Sequence, residues 1–206
     1  MDFWDRMAAT AAERDVLQHP FYVRWTRGEL TRAELADYAG QYRHAVVALA
    51  GASAEAAPAA GAGLRAHLEE HSVEETGHVA LWDRFVAATG GDAGAAPNAG
   101  TTACAGAWAA PGRSPAATLA ALYAIESAQP AIAAVKRAGL VELYGFDPGD
   151  ATEYFDVHAE LDHEHAAAHR EFLTRELEAG ADQGELIDAA RAALEGNWAL
   201  LDGVQR

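Results

Sequence analysis

Three residues in the C-terminal third of the chain, His158, Asp162 and His165, carry side chains that can coordinate a metal ion. They stand at positions i, i+4 and i+7, which in an α-helix fall within a narrow stripe on one face. Imidazole and carboxylate groups together favour iron, manganese or zinc over calcium. The same spacing also fits a solvent-exposed charged face, so this segment alone leaves both interpretations open.

A second segment repeats the spacing with the same residue types. His71, Glu75 and His78 again stand at i, i+4 and i+7. Glu75 and His78 form the Glu-x-x-His pairing with which helical bundles hold two iron or manganese ions. Two such stripes in one chain favour a metal site over a charged surface.

Glu126 is a further candidate ligand, because it stands among the apolar residues Leu122, Tyr123 and Ile125. A carboxylate buried there would need a partner, and a bridging position between two metals would provide one. Three helices then offer enough ligands for two metals that keep open positions for dioxygen and substrate. The predicted ligands are Glu75, His78, Glu126, His158, Asp162 and His165.

The segments that carry these residues are predicted to be helical. Alanine is abundant while valine and isoleucine are sparse, which favours α-helix over strand. Thr31 followed by Glu34 is a capping box that predicts a helix start. Helices are predicted over about 2–17, 31–54, 64–88, 115–144, 151–179 and 183–202. The prediction is an all-α, single-domain bundle of about seven helices over 1–206.

Two irregular regions interrupt this pattern. Residues 89–115 are rich in glycine, alanine and proline, and we interpret them as a loop with a short helical turn near Trp108. Pro130 stands inside the helical pattern that starts at Ser114–Pro115. A kink is therefore expected near Glu126–Pro130.

Composition excludes several classes of function. The formal net charge of −16 and the pI of about 4.8 argue against nucleic acid and anionic membranes as partners. The single cysteine, Cys104, excludes an intramolecular disulfide and fits a reducing compartment. There is no run of about 18 apolar residues, and the N-terminus lacks the pattern of a signal peptide. A cytoplasmic location is expected.

The chain resembles the haem-oxygenase-like diiron oxidases and oxygenases over most of its length. The strongest element is His158-x-x-x-Asp162-x-x-His165. The other matching stretches are HPFYVRWTRGELTRAELADYAGQYRHAV, Glu75-x-x-His78 followed by ALWDRF, ESAQP, KRAGLVELYG and FDVHAELDHEH. The resemblance implies a haem-oxygenase-like fold and two iron ions, with a manganese–iron pair as the alternative. It also implies use of dioxygen and of an external reductant or redox partner.

The resemblance further implies how the ligands divide between the metals. One metal is expected on Glu75, His78, the bridging Glu126 and His158, and the other on the carboxylates with Asp162 and His165. Many members of the family carry a glutamate seven residues before the central histidine, where this chain has His71. Glu75 is therefore the preferred carboxylate, with Glu70 as the substitute and His71 as an additional candidate. We expect His169 to be a neighbour of the site or to have no role in it.

Lys136, the only lysine of the chain, stands among apolar residues. A partly buried lysine is a candidate for function, although a salt bridge or a snorkelling side chain explains it equally well. In the para-aminobenzoate-forming branch of the family, a lysine at this position and tyrosines near the metals are implicated. The tyrosines at similar positions are Tyr22, Tyr38 and Tyr154, whereas Ile125 stands where that branch has another tyrosine.

We therefore expect a diiron oxygenase that oxidises a small nitrogen-containing metabolite, by N-oxygenation of an amine or oxidative cleavage of an amino acid. The alternative is a self-sacrificing para-aminobenzoate synthase that consumes an internal tyrosine. Thiamin degradation would need a cysteine nucleophile, and Cys104 has no evident base; a regulatory or metal-storage protein is the non-enzyme alternative. Apolar residues of the last helix, such as Leu186, Leu194 and Trp198, would suit a core or a homodimer equally.

Overall fold

The computed structural model describes residues 1–205, which form α-helices and connecting turns and contain no β-strand. The helices in this range are α1 (Phe3–Glu13), α2 (Pro20–Thr26), α3 (Arg32–Ala56), α4 (Ala62–Thr89), α5 (Ala99–Ala109), α6 (Pro115–Glu126), α7 (Gln129–Glu142), α8 (Glu153–Glu178) and α9 (Gln183–Val204). Short 3₁₀ turns occupy Val16–Gln18 and Ala57–Ala59. The all-α prediction is confirmed, with two more helices than the pattern indicated.

Two of the helices begin at side-chain caps that the sequence predicts. Thr31 accepts a hydrogen bond from the backbone N–H of Glu34, whose carboxylate accepts one in return from the Thr31 backbone. This is the predicted capping box at the start of α3. Ser114 caps α6 by accepting a hydrogen bond from the Ala117 N–H, and Pro115 is the first helical residue.

The predicted kink is a true break between α6 and α7. Helix α6 ends at Glu126, and α7 begins at Gln129 with Pro130 in its first turn. Proline cannot donate a backbone hydrogen bond and its ring collides with the preceding turn, so one straight helix cannot continue through it. The break leaves Glu126 at the very end of α6, which directs its carboxylate toward α4 and α8.

The loop interpretation was wrong for residues 99–109, which form α5. Asn98 caps this helix by accepting a hydrogen bond from the Thr101 N–H. A glycine from each helix allows close packing of α5 against α9: a Cβ at Gly100 of α5 would overlap the Ala199 carbonyl oxygen, and one at Gly196 of α9 would lie 3.1 Å from the Cys104 Cα. Small residues at this crossing let the two helices approach closely, and the helix propensity of single residues does not reveal that contact.

The helices share one hydrophobic core. Helix α3 packs along α4 and α5, α9 packs against α5 and α6, and α8 lies against α6 and α7. Leu186 and Leu194 are buried in that core, so these two residues of α9 do not form an exposed apolar face. The homodimer stays a prediction.

One apolar stretch of the bundle, residues 115–142, is long and apolar enough to cross a membrane by composition, with a mean hydropathy of 1.2 over its 18-residue window. The sequence pattern had not singled it out. In the fold, 61% of that window is buried, and the break between α6 and α7 lies within the stretch. Buried core helices also meet this criterion of length and composition, so we do not assign the stretch to a membrane.

Candidate metal centre

Polar side chains from three helices converge between α4, α6 and α8. Helix α4 contributes His71, Glu75 and His78, helix α8 contributes His158, Asp162 and His165, and Glu126 stands at the end of α6. Most are at least nine-tenths buried, and the most exposed side chain, that of His165, is 12% exposed. The two predicted stripes therefore face each other inside the bundle.

The first group consists of Glu75, His78 and His158, whose ligand atoms lie within 4.8 Å of one another. The Nδ1 atom of His78 lies 2.9 Å from Glu75 Oε1. The Nδ1 atom of His158 lies 2.6 Å from the Tyr154 carbonyl oxygen. That contact assigns the proton of His158 to Nδ1 and leaves Nε2 as the atom that can bind a metal.

The second group consists of His71, Glu75, Glu126 and His165, again with ligand atoms within 4.8 Å. His71 Nε2 lies 2.8 Å from Glu126 Oε1, and Ser53 Oγ lies 2.8 Å from the other ring nitrogen. Glu75 belongs to both groups. It is therefore the carboxylate that the geometry offers as a bridge between two ions.

Several buried atoms of these side chains have no hydrogen-bond partner within residues 1–205. They are Glu75 Oε2, His158 Nε2, both oxygens of Asp162 and His165 Nδ1. Leaving so many acceptors and ring nitrogens unsatisfied is costly, and carboxylates buried together repel one another. Divalent cations would satisfy these atoms at once, so the residues present fit a metal pair.

Burial and mutual contact shift the protonation of this cluster. Burial lowers the pKa of His158 to about 4, so its ring is neutral and ready to bind a metal at neutral pH. Burial, assisted by repulsion from Glu126 and Glu75, raises the pKa of Asp162 to about 7. The nearby carboxylate of Asp162, with Oδ1 3.5 Å from His165 Nδ1, raises the pKa of His165 to about 9. Metal binding must therefore displace protons from Asp162 and His165.

The position of Glu126 differs from the division that the resemblance implied. Its carboxylate lies with His71 and His165 and not with His78 and His158. Burial opposes ionisation of Glu126, but His71 and His169 hold its pKa well below the usual range. These histidines draw the carboxylate to their side of the cluster.

The remaining predicted residues have clear positions. His71 lies inside the cluster, whereas Glu70 is exposed and belongs to neither ligand group. Asp162 lies outside both groups, with Oδ1 3.5 Å from His165 Nδ1. His169, for which the sequence predicted a neighbouring position or no role, is fully buried with Nε2 2.8 Å from Glu126 Oε2.

Two neighbours of the cluster were missed altogether. His67 Nε2 lies 2.7 Å from His169 Nδ1, and Ser53 contacts His71. His67 stands four residues before His71 and continues the α4 stripe, so the spacing could have revealed it. Nothing in the sequence pairs Ser53, which lies on α3, with a residue of α4.

Lys136 lies in a nest of aromatic rings beside the cluster. Its Nζ is 4.8 Å from the ring centroid of Tyr42, 5.3 Å from that of Tyr22 and 5.5 Å from that of Tyr38. The residue is only 2% exposed, and burial lowers the pKa of its amine to about 7. Lys136 is therefore neither a surface residue nor a snorkelling one, and a large fraction of it is a neutral amine near pH 7.

Aromatic contacts connect this nest to the candidate ligands. The Tyr154 ring stacks on the His158 ring, with 3.9 Å between the ring centroids. The Tyr154 ring also meets the Trp82 ring edge to face, with 4.7 Å between the centroids. Trp82 in turn contacts Tyr42 at 5.0 Å. Within the nest the hydroxyl groups of Tyr22 and Tyr38 are 2.9 Å apart. The predicted residues Tyr22, Tyr154 and Lys136 thus share one buried region with the metal cluster.

The model of the iron-containing redox enzymes matches residues 36–198 of this chain, a span that holds all the candidate ligands. The chain belongs to the iron-containing redox enzyme family. Its activity is accordingly that of an oxidoreductase. The histidine–glutamate cluster is the group of residues that could hold the metal. The resemblance stated from the motifs is confirmed.

Relatives in this family carry a specific name. The 4-aminobenzoate synthase of Nitrosomonas europaea is 33% identical, over 98% of this chain and 90% of its own length. The 4-aminobenzoate synthase of Chlamydia trachomatis is 31% identical, over 98% of this chain and 91% of its own length. The similarity therefore extends over whole chains and not over a shared segment.

Solved structures agree on the fold. A haem-oxygenase-like domain of unknown function from Shewanella denitrificans superposes with a TM-score of 0.82 at 21% identity, covering 99% of this chain and 92% of its own. A TenA homologue from Pseudomonas syringae gives a TM-score of 0.83 at 18% identity, covering 98% and 90%. At these identities the likeness establishes the haem-oxygenase-like fold and nothing more.

Proposed function

We propose that this protein is a 4-aminobenzoate synthase that builds its product from one of its own tyrosines. The observation that carries the proposal is the buried amine of Lys136 among Tyr22, Tyr38 and Tyr42, next to the metal cluster. The full-length similarity to proteins of that name supports it. The self-sacrificing alternative thus replaces oxidation of an external amine as the preferred function.

Two iron ions are the metals we assign to the cluster. Glu75, His78 and His158 would hold one ion, and His71, Glu126 and His165 the other, with Glu75 common to both. Asp162 would complete the second site through its unpartnered oxygens. When bound and reduced by an external reductant, the iron pair supplies the activation of dioxygen.

The protein's own residues then have defined tasks. Tyr22 is the tyrosine we assign as the source of the aromatic ring, because it is buried, lies against Lys136 and is held by the Tyr38 hydroxyl. Lys136 is the amine we assign to donate nitrogen, since its lowered pKa leaves the lone pair available near pH 7. Tyr154 fills the space between His158 and the nest and excludes water from it.

The other functions considered have less support. Burial raises the pKa of the Cys104 thiol strongly, which disfavours the thiolate that thiamin hydrolysis would need. N-oxygenation of an external amine and oxidative cleavage of an amino acid require a separate substrate, and they stay alternatives that the following experiment separates. The cytoplasmic location, the manganese–iron pair and the absence of nucleic-acid partners also stay predictions.

The test is a single-turnover reaction without added substrate. Protein labelled with ¹³C-tyrosine and ¹⁵N-lysine is loaded with ferrous iron and exposed to dioxygen and a reductant. We expect doubly labelled 4-aminobenzoate in at most one copy per chain, with loss of mass from the peptide that contains Tyr22. Mass spectrometry of the product and of the digested protein measures both.

Matched variants locate the residues. Tyr22→Phe and Lys136→Met should abolish labelled product while iron content stays unchanged. Tyr123→Phe is the control, because this partly buried tyrosine contacts Trp4 and Arg170 and not the nest. Product without ring label, or many turnovers per chain with an added amine, would refute the self-sacrificing proposal in favour of an external substrate.

A further inference from the structure

A cavity lies away from the metal ligands, between the end of α1 with the 3₁₀ turn that follows it and helices α6, α7 and α9. Its volume is about 240 Å³. The wall is apolar, with Val16, Ile125, Ile132 and Leu194 among its residues. An apolar cavity of roughly 150 Å³ already accepts benzene, so this one has room for a substituted ring.

Asn197 is one of the residues that line this cavity, and its side chain holds an unused hydrogen-bond acceptor. The residue is 8% exposed, and its Oδ1 has no hydrogen-bond partner within the described chain. Its side chain also hydrogen-bonds to Tyr42, which partly offsets the rise in the Tyr42 pKa caused by burial. Because a buried acceptor without a donor is costly, the Oδ1 atom favours a ligand that brings an N–H or O–H group.

Arg14 places a positive charge at the rim. The residue lines the cavity and is exposed, so its guanidinium faces the solvent side while Asn197 is buried. Asp15 also lines the cavity, and its carboxylate accepts hydrogen bonds from the neutral Leu17 N–H and Gln18 amide. The Nη1 atom of Arg14 donates a hydrogen bond to the Glu13 carbonyl oxygen. In a chain of net charge −16, a guanidinium at this opening is the local group that can attract an anion.

The cavity also adjoins the reaction region proposed above. Ile125, in its wall, directly precedes Glu126 of the metal cluster. On the α9 side, Asn197 contacts Tyr42, whose ring lies 4.8 Å from Lys136 Nζ. A molecule formed near Lys136 therefore has this cavity as its neighbour.

We propose that this cavity is a binding site for a small aromatic acid with a hydrogen-bond donor opposite the carboxylate. The carboxylate would pair with Arg14, the ring would lie against Ile125 and Leu194, and the donor would reach Asn197 Oδ1. On the proposed function, this ligand is the product, 4-aminobenzoate, held on its way out of the protein.

Equilibrium binding to the anaerobic full-length chain tests the site without any turnover. Ligands of about ten non-hydrogen atoms commonly bind with dissociation constants on the order of 1 mM or below, and we expect 4-aminobenzoate to do so. Calorimetry measures the affinity. Nuclear Overhauser effects from the ligand ring to the methyl groups of Ile125 and Leu194 measure the position.

Two variants tested with three ligands show which residue contacts which group of the ligand. Arg14→Met should weaken binding of 4-aminobenzoate and benzoate by about two- to fivefold and leave that of aniline unchanged, as for an exposed ion pair. Asn197→Leu should weaken 4-aminobenzoate and aniline but not benzoate. Arg191→Met, an exposed arginine of α9 outside the cavity wall, is the control and should change none of them.

A third variant, Ala12→Trp, fills the rim from an exposed position on α1 and should block all three ligands. Binding that is absent, or that survives Arg14→Met, Asn197→Leu and Ala12→Trp together, would overturn the site. If labelled product forms but does not bind here, the site fails and the proposed function stands. If 4-aminobenzoate binds here but none is formed, the ligand site stands and the synthase proposal fails.

Discussion

Replacing Lys136 by methionine should stabilise the protein in a pH-dependent way. The pKa of this amine falls from 10.5 to about 7 on folding because burial disfavours its charged form. At about 1.36 kcal/mol per unit, this shift is a cost to folding of about 5 kcal/mol wherever the unfolded and folded lysines are both protonated. Methionine has nearly the same length and carries no charge, so Lys136→Met removes that cost.

The sign follows from proton binding. Below pH 7 both states hold the proton and the cost is fully present. Between pH 7 and 10.5 the unfolded chain binds more protons than the folded one, so stability rises with pH. From pH 7 to pH 9 the wild-type protein should gain about 2 kcal/mol from this group alone, and the advantage of Lys136→Met should shrink by that amount.

Urea unfolding followed by circular dichroism, at pH 7, 8 and 9 on metal-free protein, measures the difference between the two proteins. Arg137→Met is the matched control. Arg137 follows Lys136 in α7, and its guanidinium pairs with Asp156 and does not titrate in this pH range. A difference between wild type and Lys136→Met that stays constant with pH would show that the lysine keeps its ordinary pKa. The neutral amine on which the proposed chemistry depends would then be absent.

Other predictions follow from the cluster and from one close helix contact. Glu126→Gln should lower iron content from about two ions per chain to one or none, whereas Glu70→Gln should leave it unchanged, as elemental analysis would show. Iron affinity should rise between pH 6 and 8, because Asp162 with its pKa of about 7 must lose its proton to bind; a titration at several pH values checks this, and a flat profile would remove Asp162 from the ligand set. Gly139→Ala should destabilise the fold by about 1–3 kcal/mol in urea unfolding, because the new Cβ would lie 2.7 Å from Trp25 Cδ1 and push α7 away.

Periodicity was enough to predict the facing stripes of α4 and α8. The spacing of four and three residues places histidines and carboxylates on one side of any α-helix, whatever the helix packs against. Pro130 likewise predicted the break after α6, since the missing N–H acts locally. Gly100 of α5 misled the prediction, because its role depends on how closely α9 approaches.

The sequence by itself determined most of the helices, the residues that share each face and the family to which the chain belongs. Only the tertiary structure decided that Glu75 is common to both ligand groups, that His169 and His67 stand behind Glu126, and that Glu70 faces solvent. It also decided that Lys136 is buried among tyrosines. Helical spacing specifies which side of a helix a residue occupies, but the neighbours across the bundle, and with them burial and pKa, depend on how the helices pack.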